Sequence, residues 1–157
     1  MNEKDALRYA LEMMDTADAA YLTTLDAQGF PQTRAMLNLR NNVRYPKLQE
    51  MFEAHKEDFL VYFTTNTSSQ KVEQIAQNPR ASVYYAKPSE WRGLMLGGLI
   101  SVVTDMKLKK SLWQPAWDMY YHQGPTDPDY AILVMKPAVA KLYHQMHFVE
   151  IRFTGQE

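Results

Sequence analysis

Five side chains from two separate stretches have the types and spacing to hold an anion. The longer stretch begins at Phe59 to Phe63, a short apolar run of β-branched, aromatic and leucine residues that reads as a strand. It breaks into six small polar residues, Thr64 to Ser69, restarts with helical spacing at Lys71, Val72, Ile75 and Ala76, and stops at Asn78-Pro79. A strand that runs through hydroxyl side chains into a helix start offers a phosphate the first-turn N–H groups and the positive helix end. Thr64, Thr65 and Ser69 add hydroxyl donors, and Lys71 adds a full charge. The plainer reading is that Ser68 or Ser69 caps a helix. Arg34 comes from the second stretch, between Thr33 and Ala35-Met36-Leu37. An arginine among mostly apolar strand neighbours needs an anionic partner or a route to solvent, and a solvent-facing arginine is the alternative there.

The elements that must position these residues follow from periodicity. Residues 3–14 read as an amphipathic helix, with Ala6, Leu7, Ala10, Leu11 and Met14 on one face and Asn2 with Asp5 as an N-cap arrangement. Ala19 to Leu25 and Phe30 to Leu39 read as strands joined by an Asp26–Gly29 turn, which puts Arg34 in the middle of the second strand. Arg40-Asn-Asn42 is a turn, and Pro46 to His55 a short helix. Ala81 to Ala86 and Trp91 to Thr104 follow as strands across a 87–90 loop. Gly93, Gly97 and Gly98 mark a bulge or a close backbone approach in the longer one. Asp105 caps a helical stretch to Trp117 that Pro115 interrupts, and a loop runs from Tyr120 to Asp129. Tyr130 to Met135, Ala138 to His144 and His147 to Phe153 close the chain as strands. The expected fold is mainly β (α+β): a small antiparallel six- to seven-stranded split barrel with short flanking helices, in one domain over residues 1–157.

Composition narrows the function classes. With 46% hydrophobic and 22% charged residues the chain reads as an ordinary soluble domain, expected in the cytoplasm. A formal net charge of −1 gives no basic field for nucleic acid or an anionic membrane. The absence of cysteine removes disulfides, thiolate metal sites and cysteine nucleophiles. No signal peptide and no spanning apolar run is read, Leu94 to Val103 being too short. His144 and His147, three apart, are read as lying on opposite faces of a strand, and no metal site is expected. The ten methionines read as gap-filling core, and the aromatic second half (Trp91, Trp113, Trp117, Tyr120, Tyr121) mostly as core or interface packing.

These pieces together resemble the pyridoxamine 5′-phosphate oxidase-like, FMN-binding split-barrel family, and within it the small general-stress-protein-26-type branch. The resemblance rests on Ala20-Tyr-Leu-Thr-Thr-Leu with Gly29-Phe-Pro, Arg34-Ala-Met-Leu, and Val61-Tyr-Phe-Thr-Thr with Ser68-Ser-Gln-Lys71. Asn78-Pro-Arg-Ala-Ser-Val-Tyr-Tyr, the strand ending near Gly98 and Gly124-Pro-Thr-Asp-Pro-Asp-Tyr complete it. It implies a homodimer with FMN in a groove between protomers. The phosphate would lie on Arg34, Thr65, Ser69 and Lys71 and the flavin ring along Met36, Leu37 and Asn38, with Ala35, Thr64 and Gln70 counted among the cofactor-binding residues. Apart from the resemblance, the functional alternative to aromatic packing is that Trp117 or Tyr120, on the late helical stretch, reaches over the ring. FAD or another flavin is the alternative ligand. A small-molecule electron donor and acceptor are the implied partners of an FMN-dependent oxidoreductase, and no catalytic residue is assigned.

Two positions depart from the enzymes that oxidise pyridoxamine phosphate. Gln70 replaces a basic residue, and Leu39 replaces a lysine. Their C-terminal substrate signature is not recognisable in Phe148 to Glu157. The flavin site is therefore expected without vitamin B6 oxidation. A non-catalytic flavin-binding or stress-related protein, or a relative holding haem or deazaflavin in the same groove, are the competing classes.

Overall fold

A computed structural model describes residues 1–155; Gln156 and Glu157, at the end of the stretch read for a substrate signature, lie outside the described residues. Among the described residues, seven antiparallel strands form one curled sheet: β1 (Ala19–Leu25), β2 (Pro31–Leu37), β3 (Val61–Asn66), β4 (Arg80–Lys87), β5 (Arg92–Val102), β6 (Tyr130–His144) and β7 (His147–Arg152). The order is β2-β1-β4-β5-β6-β3, with β7 also on β6. Helices α1 (Glu3–Thr16), α2 (Gln49–Glu53), α3 (Gln70–Gln77) and α4 (Met106–Leu112) flank it, with short 3-10 turns between. The two terminal strands of that order, β2 and β3, approach without joining the ladder, which leaves a seam in the half-barrel.

β6 is the spine of the sheet. It pairs with β5 along most of its length, with β3 from Tyr130 to Met135 and with β7 from Val139 to His144. The sequence pattern predicts two strands here, interrupted at Lys136-Pro137. One continuous strand is found, because Pro137 falls at the changeover from β3 to β7, where the missing N–H costs least. The β5–β6 register shifts between Gly97 and Gly98. A Cβ on Gly98 would stand 2.3 Å from the Lys136 carbonyl oxygen, so the expected close backbone approach is real.

Two cores share β3 and the first half of β6. Val61, Phe63, Leu133 and Met135 face the barrel core with Ala6, Ala10, Met13 and Met14 of α1. Leu60, Tyr62, Tyr130 and Ile132 face a second core built with Leu48, Phe52, Leu112 and Trp117. Burial on both faces accounts for the unbroken apolar run at Phe59 to Phe63. The strand itself starts later than that run suggests. Phe59 has φ of 56° and turns the chain into β3, which extends through Thr64 and Thr65 to Asn66.

Other boundaries move for local reasons. β2 ends at Leu37 rather than Leu39, since Asn38, Leu39 and Arg40 turn inward and are buried. The predicted helix over Pro46 to His55 is a 3-10 turn at Pro46–Leu48 followed by α2. Pro115 ends the helical stretch after α4, and Pro115–Met119 becomes a 3-10 turn. His144 and His147 are direct cross-strand partners at the β6–β7 turn, which corrects the expectation of opposite faces on one strand.

Candidate functional site

The seam between β2 and β3 holds a cleft of about 220 Å³ lined by Ala35, Met36 and Leu37 on one side and Thr64, Thr65, Asn66 and Lys71 on the other, with Tyr120 and Tyr121 at its rim. Alternation along β3 divides its hydroxyls. Thr65 continues the barrel-facing series of Val61 and Phe63, while Thr64 continues the series of Leu60 and Tyr62 towards the second core. Lys71 Nζ donates to Thr65 Oγ1 at 3.1 Å, and Ser69 Oγ lies 3.5 Å from the same hydroxyl. Thr64 Oγ1 and the Tyr121 hydroxyl are 3.1 Å apart.

Ser69 occupies the N-cap position of α3, yet its side chain makes no capping hydrogen bond. The turn before α3 is held from outside instead. Asp129 accepts from Asn66 Nδ2 at 2.6 Å and from the Ser68 N–H at 3.0 Å, and its carbonyl accepts from the Thr67 N–H at 2.8 Å. The Asn66 and Ser68 hydrogen bonds hold the Asp129 carboxyl below the usual carboxylate range.

Arg34 faces Leu22 across the β1–β2 ladder, precedes Ala35 of the cleft wall, and turns its guanidinium to Thr24 and Gln74 rather than lining the cleft itself. Nη1 donates to Thr24 Oγ1 at 2.7 Å and to the Leu22 carbonyl at 3.3 Å, and Nη2 donates to Gln74 Oε1 at 3.3 Å. Thr24 is fully buried and donates to the same Gln74 oxygen at 2.6 Å. The partners of Arg34 are therefore neutral, and among the described residues no carboxylate pairs with Arg34 or Lys71. Burial lowers the pKa of both cations, and Arg34 lowers that of Lys71 further. Two half-buried cations that repel one another without a counter-ion would be stabilised by a nearby anion.

The other sequence-predicted residues lie differently. Asn38 is buried below the cleft; its Nδ2 donates to the Met14 and Ala17 carbonyls at 2.7 and 2.9 Å, which commits it to the end of α1. Gln70 is exposed on the first turn of α3 and lines a neighbouring recess with Gln28, Gln32, Gln74 and Gln77, not the seam. Trp117 does not reach the cleft. Only 3% exposed, it packs on Trp113, Tyr45 and Tyr130, because the turn after Pro115 points it inward and carries Tyr120 and Tyr121 to the rim. Leu39 is buried in the second core.

Sequence reasoning missed Thr24, Gln74, Asn66 and Asp129 as parts of the site, and took Tyr121 only as packing. Asn66 lay inside the polar run and Asp129 beside a proline-rich turn, but only pairing across the fold links them. Thr24 and Gln74 carry no local signal, since an ordinary strand threonine and a helix glutamine look the same in any protein.

A curled antiparallel half-barrel, open along one seam and with an anion-seeking cleft in that seam, is a split-barrel protein. The sequence profile of the family described as pyridoxamine 5′-phosphate oxidase like matches residues 5–152. The chain belongs to that family. Among solved structures, it is similar to a protein related to general stress protein 26, of the pyridoxinephosphate oxidase family, from Clostridium acetobutylicum: TM-score 0.78, 23% identity, covering 97% of each chain. General stress protein 26 from Bacillus anthracis aligns at TM-score 0.69 and 19% identity, over 98% of this chain and 100% of that one. A pyridoxamine 5′-phosphate oxidase-related, FMN binding protein from Nostoc punctiforme aligns at TM-score 0.62 and 16% identity, over 98% of both chains. None of the curated proteins compared with the chain matches it. No helix among the described residues is long and apolar enough to cross a membrane.

Proposed function

We propose that the seam cleft binds FMN and that the chain is a small flavin-dependent oxidoreductase working as a cytoplasmic homodimer. The observation that carries this reading is the pair Arg34 and Lys71, two desolvated cations without a carboxylate, Arg34 held on Thr24 and Lys71 on Thr65 next to Ser69. This donor set fits a phosphate monoester: one planar cation, one point charge and hydroxyl donors at a helix start. Thr24 and Gln74 orient the guanidinium, and Asp129 orders the turn that carries Ser69. The free edge of β2 at Ala35–Leu37 fits the polar edge of a flavin ring, since an edge strand has unpaired N–H and C=O groups to offer. Tyr120 would shield the ring from water. Bound FMN supplies hydride and electron transfer, while the chain contributes binding, orientation and electrostatics.

Size supports the dimer. At about 220 Å³ the cleft is smaller than the 300–1,000 Å³ that usually encloses a ligand of this kind, so one protomer gives only part of the enclosure. Ala35 and Leu37 also belong to the outer face of the sheet, where Ala35, Tyr21, Tyr84 and Met95 stand in one cross-strand row. Tyr21, Leu37 and Tyr84 are each about 40% exposed, 40%, 38% and 45% respectively. A second copy on that apolar face would close the cleft. The neutral, outward Gln70 and the buried Leu39 argue against a second phosphate-bearing substrate of the pyridoxamine phosphate type. No histidine lines the cleft, which gives a haem reading no axial imidazole there.

The test is direct. Purified protein is expected to be yellow, with flavin absorbance that an Arg34→Ala/Lys71→Ala variant loses. A colourless protein that takes up no added FMN overturns the reading. Reduction of the bound flavin by NADH or NADPH, then reoxidation by an acceptor, separates an oxidoreductase from a storage or stress-related flavin binder.

A further inference from the structure

Away from the seam, α1 is fastened to the sheet by a cluster that the proposed flavin chemistry does not use. His144 ends β6 and stands opposite Arg92 of β5 in the ladder. Its ring stacks on Tyr9 of α1, with centroids 4.0 Å apart and planes 19° from parallel. Arg92 donates to Glu12 of α1 at 2.8 Å, lies 3.5 Å from Glu90, and passes 5.6 Å from the centre of the Tyr9 ring. Two polar atoms here are buried without a hydrogen-bond partner: His144 Nδ1 and Arg92 Nε. A buried polar atom left unsatisfied in a native fold calls for an explanation, and of these two only His144 Nδ1 can change its protonation near neutral pH.

We propose that His144 is an acid-sensitive latch that holds α1 on the barrel when neutral and releases it when protonated. The neutral ring tolerates its position because Nδ1 is then a lone pair, and the stack on Tyr9 supplies packing. Protonation puts an N–H on that buried atom with no acceptor to receive it, and places a second cation beside the Arg92 guanidinium. The surrounding charges do not offset this. The ring stacks on Tyr9 of α1 and lies in the field of Arg8 and Glu12 from α1, Arg92 from β5 and His147 from β7, with Glu90 bound to Arg92. Both carboxylates are already engaged by Arg92. Consistent with this geometry, burial, and next Arg92, lower the His144 pKa from its usual 6.5.

The sign follows from proton binding. Between the native and unfolded titration points the unfolded chain binds more protons, so the contribution of His144 is full above pH about 6.5 and is lost as pH falls below it. Its consequence reaches the seam. The last turn of α1 offers the Met14 carbonyl to Asn38, which also holds Ala17 just beyond the helix and directly follows Leu37 of the cleft wall. Loosening α1 frees the end of β2.

Hydrogen exchange of the full-length protein tests the latch. After correction for intrinsic rates, α1 amides of the wild type are expected to lose protection between pH 7.5 and 5.5. In His144→Phe, which keeps the aromatic stack but cannot titrate, they are expected to keep it; His144→Gln serves if the first variant does not fold. The wild-type melting temperature is expected to fall over that range by at least about 2 °C more than the variant's. Nitrogen-resolved NMR of wild-type His144 is expected to show a neutral ring at pH 6.5. Equal pH dependence of α1 protection in wild type and variant, or a His144 that titrates at or above its free value, overturns the proposal.

Discussion

At the scale of single residues, Arg34 and Lys71 are the two cations of the proposed phosphate site, and they are not interchangeable. The guanidinium is fixed at two points by Thr24 and Gln74, so its direction is set before any ligand arrives. Lys71 is a point charge tethered to one hydroxyl. Charge-assisted hydrogen bonds contribute about 1.5–3 kcal/mol, so Arg34→Ala and Lys71→Ala are each expected to weaken FMN binding about 10- to 100-fold, read by quenching of flavin fluorescence. Arg34→Lys should recover little, because an ammonium cannot bridge Thr24 and Gln74 as the planar fork does. An Arg34→Lys protein that binds like wild type would remove the orienting role given to Thr24 and Gln74. Gly98 makes a separate point: its Cβ position is blocked by the carbonyl backbone of Lys136, whereas at Gly93 the obstacle is the end of the Tyr84 side chain. Gly98→Ala is therefore expected to cost about 1–3 kcal/mol in urea denaturation, and Gly93→Ala less, since Tyr84 can swing away.

At the scale of elements, the turn between β3 and α3 is ordered by Asp129, distant in sequence, rather than by its own serine cap. Asp129 receives Asn66 Nδ2 and the Ser68 N–H, with |i−j| of 63 and 61. Its carboxyl titrates below the usual 3.8, so the order it gives is full above that pH and is lost as pH falls through the lower native value. Asp129→Ala should remove this acid transition, loosen residues 66–69 in hydrogen exchange at neutral pH, and weaken FMN binding without altering the sheet. Unchanged protection there would mean that the turn is held by other contacts. Asn38 plays the matching role for α1. Asn38→Ala leaves the Met14 carbonyl without its buried donor, while the Ala17 carbonyl keeps the Asn41 Nδ2 bond at 3.1 Å, so the cost is about 1–3 kcal/mol for the one group left unsatisfied, measurable as a lower midpoint in urea.

For the whole molecule, the open seam and the apolar outer face point to the same need. β2 contributes backbone to the cleft and side chains to the row with Tyr21 and Tyr84, so closing one covers the other. Size-exclusion chromatography with light scattering is expected to give a dimer, and Tyr21→Glu/Tyr84→Glu a folded monomer that binds FMN weakly although every phosphate contact is intact. A monomeric wild type that binds FMN tightly would show that one protomer suffices.

Much of this architecture is legible in the sequence because it is local. The Asn2 cap of α1, the Asp26–Gly29 hairpin, the Asp105 cap of α4 and the glycine-marked bulge of β5 each depend on residues within a few positions of one another. Backbone propensity, side-chain period and capping act over that range, and so most strand positions and the polar run before α3 could be read directly. Tertiary structure alone decided what meets at the seam. It brought Arg34 to Thr24 and Gln74, took Trp117 and Asn38 out of the cleft and put Tyr121 at its rim, and it gave the turn before α3 to Asp129. It also turned His144 and His147 into partners across a hairpin. Those outcomes depend on which faces are buried and which strands adjoin once the sheet curls. The physical reason is that hydrophobic burial fixes the packing of whole elements, and the polar contacts of a site are then set by distances between segments that no local pattern encodes.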